Sequence, residues 1–211
     1  MLLDQELDYL NQMLLKMADQ VQKNILEAFL SYKTNDDYLV VNDDVVDQYE
    51  RLVEEICLNL MLKERLYARD LKKVTGILKM VSDLERIGDH AEDIMELNIK
   101  YHHPDRLDYD KIENMVTVSM AMVQDAIKSF VHEDLILAQD VIARDNQVDN
   151  DYEDVIQYIA ESMTNQKAGP ELAIYTTLVV KYIERIADHA VNIAEWAIYI
   201  INGVHKDKRI F

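Results

Sequence analysis

The sequence predicts an all-α fold of two tandem three-helix bundles, six helices in all. Residues that supply turns are scarce, because the 211 positions include only 4 glycines and 2 prolines. Apolar residues make up 49% of the chain, which is enough for a continuous core. The segment 85–94 (ERIGDHAEDI) recurs as 184–193 (ERIADHAVNI), so the helical unit is duplicated. Long helices arranged as a repeat are therefore expected.

The few polar or proline-containing breaks set the predicted helix limits. Pro104 cannot lie inside a helix and marks the middle of the chain, whereas Pro170 is tolerated in the first turn of the last helix after Gly169. Polar turns are predicted at 33–37, 63–70 and 132–134. The six predicted helices are 4–31, 36–63, 69–101, 109–132, 134–164 and 170–203.

A second repeated segment supports the duplication. Residues 43–47 (DDVVD) match residues 145–149 (DNQVD) upstream of the longer match and in the same order. The predicted repeats are residues 1–104 and 105–211. Each half alone would expose an apolar flank, so the halves are expected to pack together.

Charge and composition narrow the possible partners. The formal net charge of −18 opposes binding to nucleic acids and to anionic membrane surfaces, and favours cations and basic protein patches. No secretory signal is apparent, and the most apolar stretch, 193–204, is too short to span a bilayer. A soluble cytoplasmic protein without membrane insertion is expected. The single cysteine, Cys57, lies on an apolar stripe and is expected to be a small buried hydrophobe.

Acidic residues repeat at helical spacing in both halves. A helix advances about 100° per residue, which places Glu85, Asp89, Glu92, Asp93 and Glu96 within an arc of about 100°. The last helix repeats this stripe, and the second helix of each half adds a pair four residues apart. These further positions are Glu184, Asp188, Asn192, Glu195, Asp43, Asp47, Asp145 and Asp149. If the two helices of a half are adjacent, four carboxylates meet at one patch.

Three explanations fit these stripes. Acidic residues opposite an apolar stripe are typical of a solvated helix face, and the stripes alone favour that interpretation. Their recurrence favours ligands for hard cations, which prefer carboxylate oxygens, although inheritance through the duplication also explains it. His90 and His189 lie at about 140° from Glu85 and Glu184, nearer the apolar side, and are left out of the metal set. Arg86 and Arg185 are expected to pair with acids on neighbouring turns.

Catalytic motifs are absent from the sequence. None of the six histidines follows a glutamate by three residues, as a di-iron bundle requires. The sequence also contains neither a glycine-rich nucleotide loop nor a Gly-x-Ser-x-Gly element. A metal-dependent phosphohydrolase is the weakest hypothesis, and the protein is not expected to be an enzyme. A helical adaptor without a metal role is the stronger alternative.

The two ERI-x-DHA segments, with DDVVD, DNQVD and ARDL at 68–71, resemble the paired signatures of the PhoU family of phosphate transport regulators. The resemblance covers essentially the whole chain and implies two three-helix bundles. It also implies bound metal ions, with iron, zinc, manganese and magnesium as candidates. One departure is that Asp93 stands where the second signature has Asn192, the residue usual in the family. The predicted metal-binding residues are Asp43, Asp47, Glu85, Asp89, Asp93, Asp145, Asp149, Glu184, Asp188 and Asn192.

The same resemblance implies a regulatory role. PhoU proteins repress the phosphate-starvation response, and the implied partners are the ATPase of a phosphate ABC transporter and a sensor histidine kinase. A homodimer is expected on the same ground.

Overall fold

Six helices and one short strand pair form the fold of the described residues. The structure is a computed structural model that describes residues 2–34, 38–63, 66–101, 105–107, 110–205 and 208–209. The helices are α1 (Leu2–Thr34), α2 (Asp43–Lys63), α3 (Ala68–Tyr101), α4 (Asp110–Val131), α5 (Leu135–Thr164) and α6 (Pro170–Asn202). A two-residue antiparallel pair, β1 (Val204–His205) and β2 (Lys208–Arg209), follows α6 and was not predicted.

The predicted start of α2 at residue 36 is wrong. Residues 38–42 are not helical, and the helix begins at Asp43 with two acidic residues in its first turn, where the helix dipole favours negative charge. The amide of Asn42 donates to Asn24 Oδ1 at 3.2 Å, which ties this segment to α1. The break that was predicted at Pro104 lies outside the described residues, as does most of the turn predicted at 33–37.

Helices α3 and α6 form the centre of the molecule. They run antiparallel, with Tyr101 against Tyr175 at one end and Gly76 against Ile200 at the other. Helices α1 and α2 pack on α3, helices α4 and α5 pack on α6, and α1 also contacts α4. The prediction of two three-helix units packed together is confirmed.

The apolar stripes predicted for α3 and α6 form the core of this arrangement. The side chains of Leu84 and Ile87 on α3 and of Ile183 and Ile186 on α6 are all buried. Cys57 is also buried, as expected, and burial raises the pKa of its thiol to about 12. No described helix carries an apolar stretch that is long enough to cross a bilayer. Removing these stripes from water is the main favourable contribution to packing the two halves.

Helix ends follow the residues that the sequence provides. The Asp134 carboxylate caps α5 by accepting from the amides of Ile136 and Leu137, both at 3.0 Å. Pro170 opens α6 as predicted. The helix ends at Asn202 and is capped by Gly203, whose φ of 84° is accessible at little cost only to glycine.

A buried polar network joins the two halves around Asn98. Its amide nitrogen donates to Ser31 Oγ at 2.6 Å. Its oxygen accepts from the Tyr175 hydroxyl at 3.0 Å and from the Arg106 guanidinium at 2.6 Å. Arg106 also donates to the carbonyl of Tyr32 at 2.5 Å and lies over the rings of both tyrosines. Arg106, in the segment between α3 and α4, therefore links α1, α3 and α6.

Arg106→Ala is expected to lower the free energy of unfolding by about 2–3 kcal/mol, because it leaves buried acceptors without their charged donor. Urea denaturation measures the change. Arg69→Ala is the control, since the Arg69 side chain is 82% exposed and its ion pair with Glu133 spans 3.6 Å. Equal stability of the two variants would contradict the role given to Arg106.

Candidate metal centres at the helix seams

The seam between α2 and α3 brings six carboxylates together, which we call the first acidic cluster. Their charges act on one another across the seam, and burial combined with neighbouring carboxylates raises the pKa of Glu50, Glu85 and Glu92. Three of them, Asp47, Glu50 and Glu85, have carboxylate oxygens that lie within 4.8 Å of one another. The members of the cluster are Asp43, Asp47, Glu50, Glu85, Asp89 and Glu92.

Asp43 is the most constrained member of this cluster. It is only 9% exposed, and its Oδ1 atom is buried without a hydrogen-bond partner among the described residues. Burial, followed by the charges of Glu92 and Asp89, raises its pKa to about 7. A Cβ added at Gly88 would lie 2.6 Å from this Oδ1, so the glycine allows α2 to approach α3 closely. A buried acceptor of this kind requires a proton or a cation.

The seam between α5 and α6 forms the second acidic cluster. Asp145 and Asp149 on α5 face Glu184 and Asp188 on α6. Burial, followed by the charge of Asp149 and then those of the two α6 carboxylates, raises the pKa of Asp145 to about 6. The structure therefore brings together the four carboxylates that the sequence predicted for this half.

The two clusters differ in charge. In the aligned second half, Tyr152 replaces Glu50 and Val191 replaces Glu92. Each cluster also contains one cationic side chain: Arg86 pairs with Glu85 and Asp89 in the first, and Lys181 Nζ lies 2.5 Å from Glu184 Oε2 in the second. Six acids against four still leave the first cluster with the larger negative charge. Because of its greater density of like charge, we expect the first cluster to attract a cation more strongly than the second.

The remaining two predicted ligands face another part of the molecule. Asn192 donates to Asp83 Oδ1 at 3.1 Å across the α3–α6 seam, beside His189, whose Nδ1 lies 2.8 Å from the same oxygen. Asp93 occupies the matching place in the first half, 3.6 Å from His90 Nδ1. Asp93 is not among the charges that act on Asp43, although it does act on Glu92 of the first acidic cluster. A metal-binding role for Asp93 and Asn192 stays a prediction.

The histidines and arginines lie between the two clusters. His90 and His189 pack against each other with ring centres 5.6 Å apart, in agreement with their placement near the apolar side. Arg86 pairs with Asp89 at 2.8 Å and with Glu85 at 3.4 Å, as expected. The same expectation is wrong for Arg185, which has no carboxylate oxygen within 4.0 Å among the described residues.

Both clusters fit a hard cation. All their donors are carboxylate oxygens, the ligands that magnesium, manganese and iron accept and that zinc also uses. The orphaned Asp43 Oδ1 and the mutual repulsion within the first cluster are both relieved by a bound cation. The predicted ligand set does not include Glu50 and Glu92, since it follows the acid pairs of the family signatures and the positions of Asp93 and Asn192. The sequence did contain a signal for both residues, because Glu50 and Glu92 lie on the acidic faces of α2 and α3.

Comparison with known proteins places the chain in a family. Two segments, 14–97 and 112–197, each match the PhoU domain model. The chain belongs to the PhoU family. An Aquifex aeolicus phosphate-specific transport system accessory protein PhoU homolog is 35% identical, with 96% of this chain and 94% of the relative covered. A Clostridium acetobutylicum protein of the same name is 29% identical, with 97% and 96% covered.

Solved PhoU structures share the fold. The crystal structure of PhoU from Pseudomonas aeruginosa matches with a TM-score of 0.90 and 29% identity, covering 95% of this chain and 99% of that one. The phosphate transport system regulatory protein PhoU from Streptococcus pneumoniae also matches with a TM-score of 0.90, at 25% identity, covering 98% and 100%. The PhoU fold predicted from the repeated signatures is therefore confirmed.

Asp43 makes the stability of the metal-free protein depend on pH. Its folded pKa of about 7 exceeds the unfolded value, so between these values the folded state binds more protons and stability falls as pH rises. Asp43→Asn removes this penalty. The difference between the free energies of unfolding of this variant and of wild type is expected to grow by about 1–3 kcal/mol in favour of the variant between pH 5 and pH 8.

Urea denaturation in the presence of a chelator measures this gain. Asp44→Asn is the matched control, because it removes the same charge at the adjacent exposed position. A constant difference between Asp43→Asn and wild type across this pH range would contradict the assignment.

Proposed function

We propose that this protein is a metal-binding cytoplasmic regulator of phosphate uptake and a negative regulator of the phosphate-starvation response. In this proposal it acts without catalysis, through contacts with the ATPase of a phosphate ABC transporter and with a sensor histidine kinase. The observation that carries the metal role is the Asp43 Oδ1 atom, which is buried in a cluster of six carboxylates and has no hydrogen-bond partner in the described part of the chain. The accessory and regulatory names of the family relatives support the regulatory role.

The carboxylates give the metal role its physical logic. Asp43 and Asp47 extend from α2, while Glu85 and Asp89 extend from α3, so ligands on both helices hold the seam closed. A divalent cation supplies the positive charge that offsets their repulsion. With the seam closed, Gly88 keeps α2 and α3 in close contact, and the surface offered to partner proteins has one defined shape. In this proposal the second acidic cluster binds a cation between α5 and α6 in the same way, with four carboxylates in place of six.

A helical adaptor without metal is the alternative that the structure also supports. Arg86 and Lys181 already offset part of the acidic charge in the two clusters. In that case the remaining carboxylates would serve as a dock for basic segments of a partner. A phosphohydrolase is less well supported, because the three-residue ligand group found among the described residues contains carboxylates alone. The phosphohydrolase hypothesis would be supported if the wild-type protein turned over phosphate esters and Asp89→Asn or Asp188→Asn lost that activity.

Added manganese, iron or zinc is expected to raise the melting temperature of the metal-free protein. A ligand at about 100 times its dissociation constant contributes about 2.7 kcal/mol, which corresponds to about 5–10 °C for a chain of this size. Asp47→Asn combined with Asp149→Asn should remove most of the increase, and Asp47→Asn alone should remove more than Asp149→Asn alone.

The matched control for this experiment combines Asp44→Asn with Glu153→Gln, two exposed acids on the same two helices. Elemental analysis of protein purified without an affinity tag gives an independent measure of bound metal. A melting curve that no metal changes, together with metal-free native protein, would favour the adaptor.

The regulatory role is tested by affinity capture from phosphate-replete and phosphate-starved cells. Mass spectrometry should identify the transporter ATPase and the sensor kinase, with different yields in the two conditions. The double variant Asp47→Asn with Asp149→Asn should reduce both yields if metal shapes the partner surface, whereas the exposed control pair should not. Recovery of neither partner in either condition would contradict the proposed contacts.

A further inference from the structure

The seam between α3 and α6 contains a cleft of about 560 Å³ that the metal proposal does not use. Arg86 and His90 from α3 line it, together with Arg185, His189 and Asn192 from α6. The duplication brings these residues together, because the matching arginines and histidines of the two halves meet where the central helices cross. Two guanidinium groups at one cleft are unusual in a chain with a net charge of −18.

The two arginines differ in how they are held. Arg185 is exposed and has no carboxylate oxygen within 4.0 Å among the described residues. The matching Arg86 is held by Asp89 at 2.8 Å and by Glu85 at 3.4 Å, and both of these carboxylates belong to the first acidic cluster. Arg185 is therefore available to a ligand, whereas Arg86 is engaged.

The other residues of the cleft are held in place from across the seam. Asp83 on α3 contacts His189 at 2.8 Å and accepts from the Asn192 amide at 3.1 Å, so it orients both groups. His189 also interacts electrostatically with Glu85 and with Asp188. These interactions place the cleft between the two acidic clusters, close enough for the charge state of each cluster to affect it.

We propose that this cleft binds a small tetrahedral oxyanion of the inorganic phosphate class, with Arg185 as the principal contact. Guanidinium groups present several fixed donors that match such an anion. We further propose that metal strengthens this binding through Arg86, a part that rests on the proposed function. Glu85 and Asp89 cannot serve both a metal ion and Arg86 with full strength, so metal binding releases Arg86 toward the cleft.

Two acids at the cleft also lead us to expect that bound metal strengthens oxyanion binding. Asp188 and Glu195 also line it and oppose an anion in the metal-free protein. Asp188 belongs to the second acidic cluster, so a cation there offsets its charge. Metal and oxyanion are therefore expected to strengthen each other's binding by an equal factor.

The test is titration of inorganic phosphate into the full-length protein by calorimetry, first metal-free and then loaded with magnesium. Loading should tighten phosphate binding about five- to tenfold, within the usual range for coupled sites. Arg185→Gln should weaken it about tenfold or more in both states, as expected for loss of a charge-assisted hydrogen bond. Arg86→Gln should retain most of the metal-free affinity and lose the enhancement.

Arg69→Gln is the matched control, because Arg69 is an exposed arginine near the start of α3 and should bind phosphate like wild type. Arg185→Lys is a second variant, in case Arg185→Gln does not fold, and should bind with intermediate affinity. Equal affinity in wild type and in both Arg185 variants would overturn the proposal, as would the absence of saturable binding in every state.

A separate magnesium titration distinguishes the two proposals. If magnesium does not bind, the metal-dependent function fails, while the effect of Arg185→Gln on the metal-free protein still decides whether the oxyanion site exists. If magnesium binds and Arg86→Gln keeps the full enhancement, the release of Arg86 is overturned and the metal-binding function stands.

Discussion

Repulsion between carboxylates that face one another across two helix seams is the constraint on which the rest of this molecule depends. Helices α2 and α5 each place aspartates against the acids of a central helix, at positions from which water is partly removed. Charge of one sign in such a place weakens the packing unless a proton or a cation accompanies it. The buried Asp43 Oδ1 atom shows this most directly, because no described residue donates a hydrogen bond to it.

The duplication produced two seams that no longer have the same chemistry. The first seam has six acids, partly balanced by Arg86, and a glycine that allows close approach of the helices. In the second, a tyrosine and a valine stand in place of two of the acids, and Lys181 partly balances the remainder. The two halves therefore share a backbone arrangement while differing in how strongly each attracts a cation.

The contact between the halves combines an apolar core with two groups of polar residues, one at an end of the seam and one at its middle. Apolar stripes of α3 and α6 remove their surface from water, and the network around Asn98 and Arg106 satisfies the polar groups buried at one end. At the middle of the same seam, the paired histidines and arginines separate the two acidic clusters. The central helices therefore contribute residues to the core, to both acidic clusters and to the cleft between them.

The sequence by itself determined the helical class, the duplication, the PhoU family and eight of the carboxylates at the seams. It did so because helical periodicity, the repeat and the family signatures can all be read from the order of residues along the chain. Only the tertiary structure decided that Glu50 and Glu92 join the first cluster and that Asn192 turns toward Asp83. It also decided that Arg86 has an acidic partner, whereas Arg185 has none among the described residues. These outcomes depend on which faces of separate helices meet, and the spacing of residues within one helix carries no information about its neighbour.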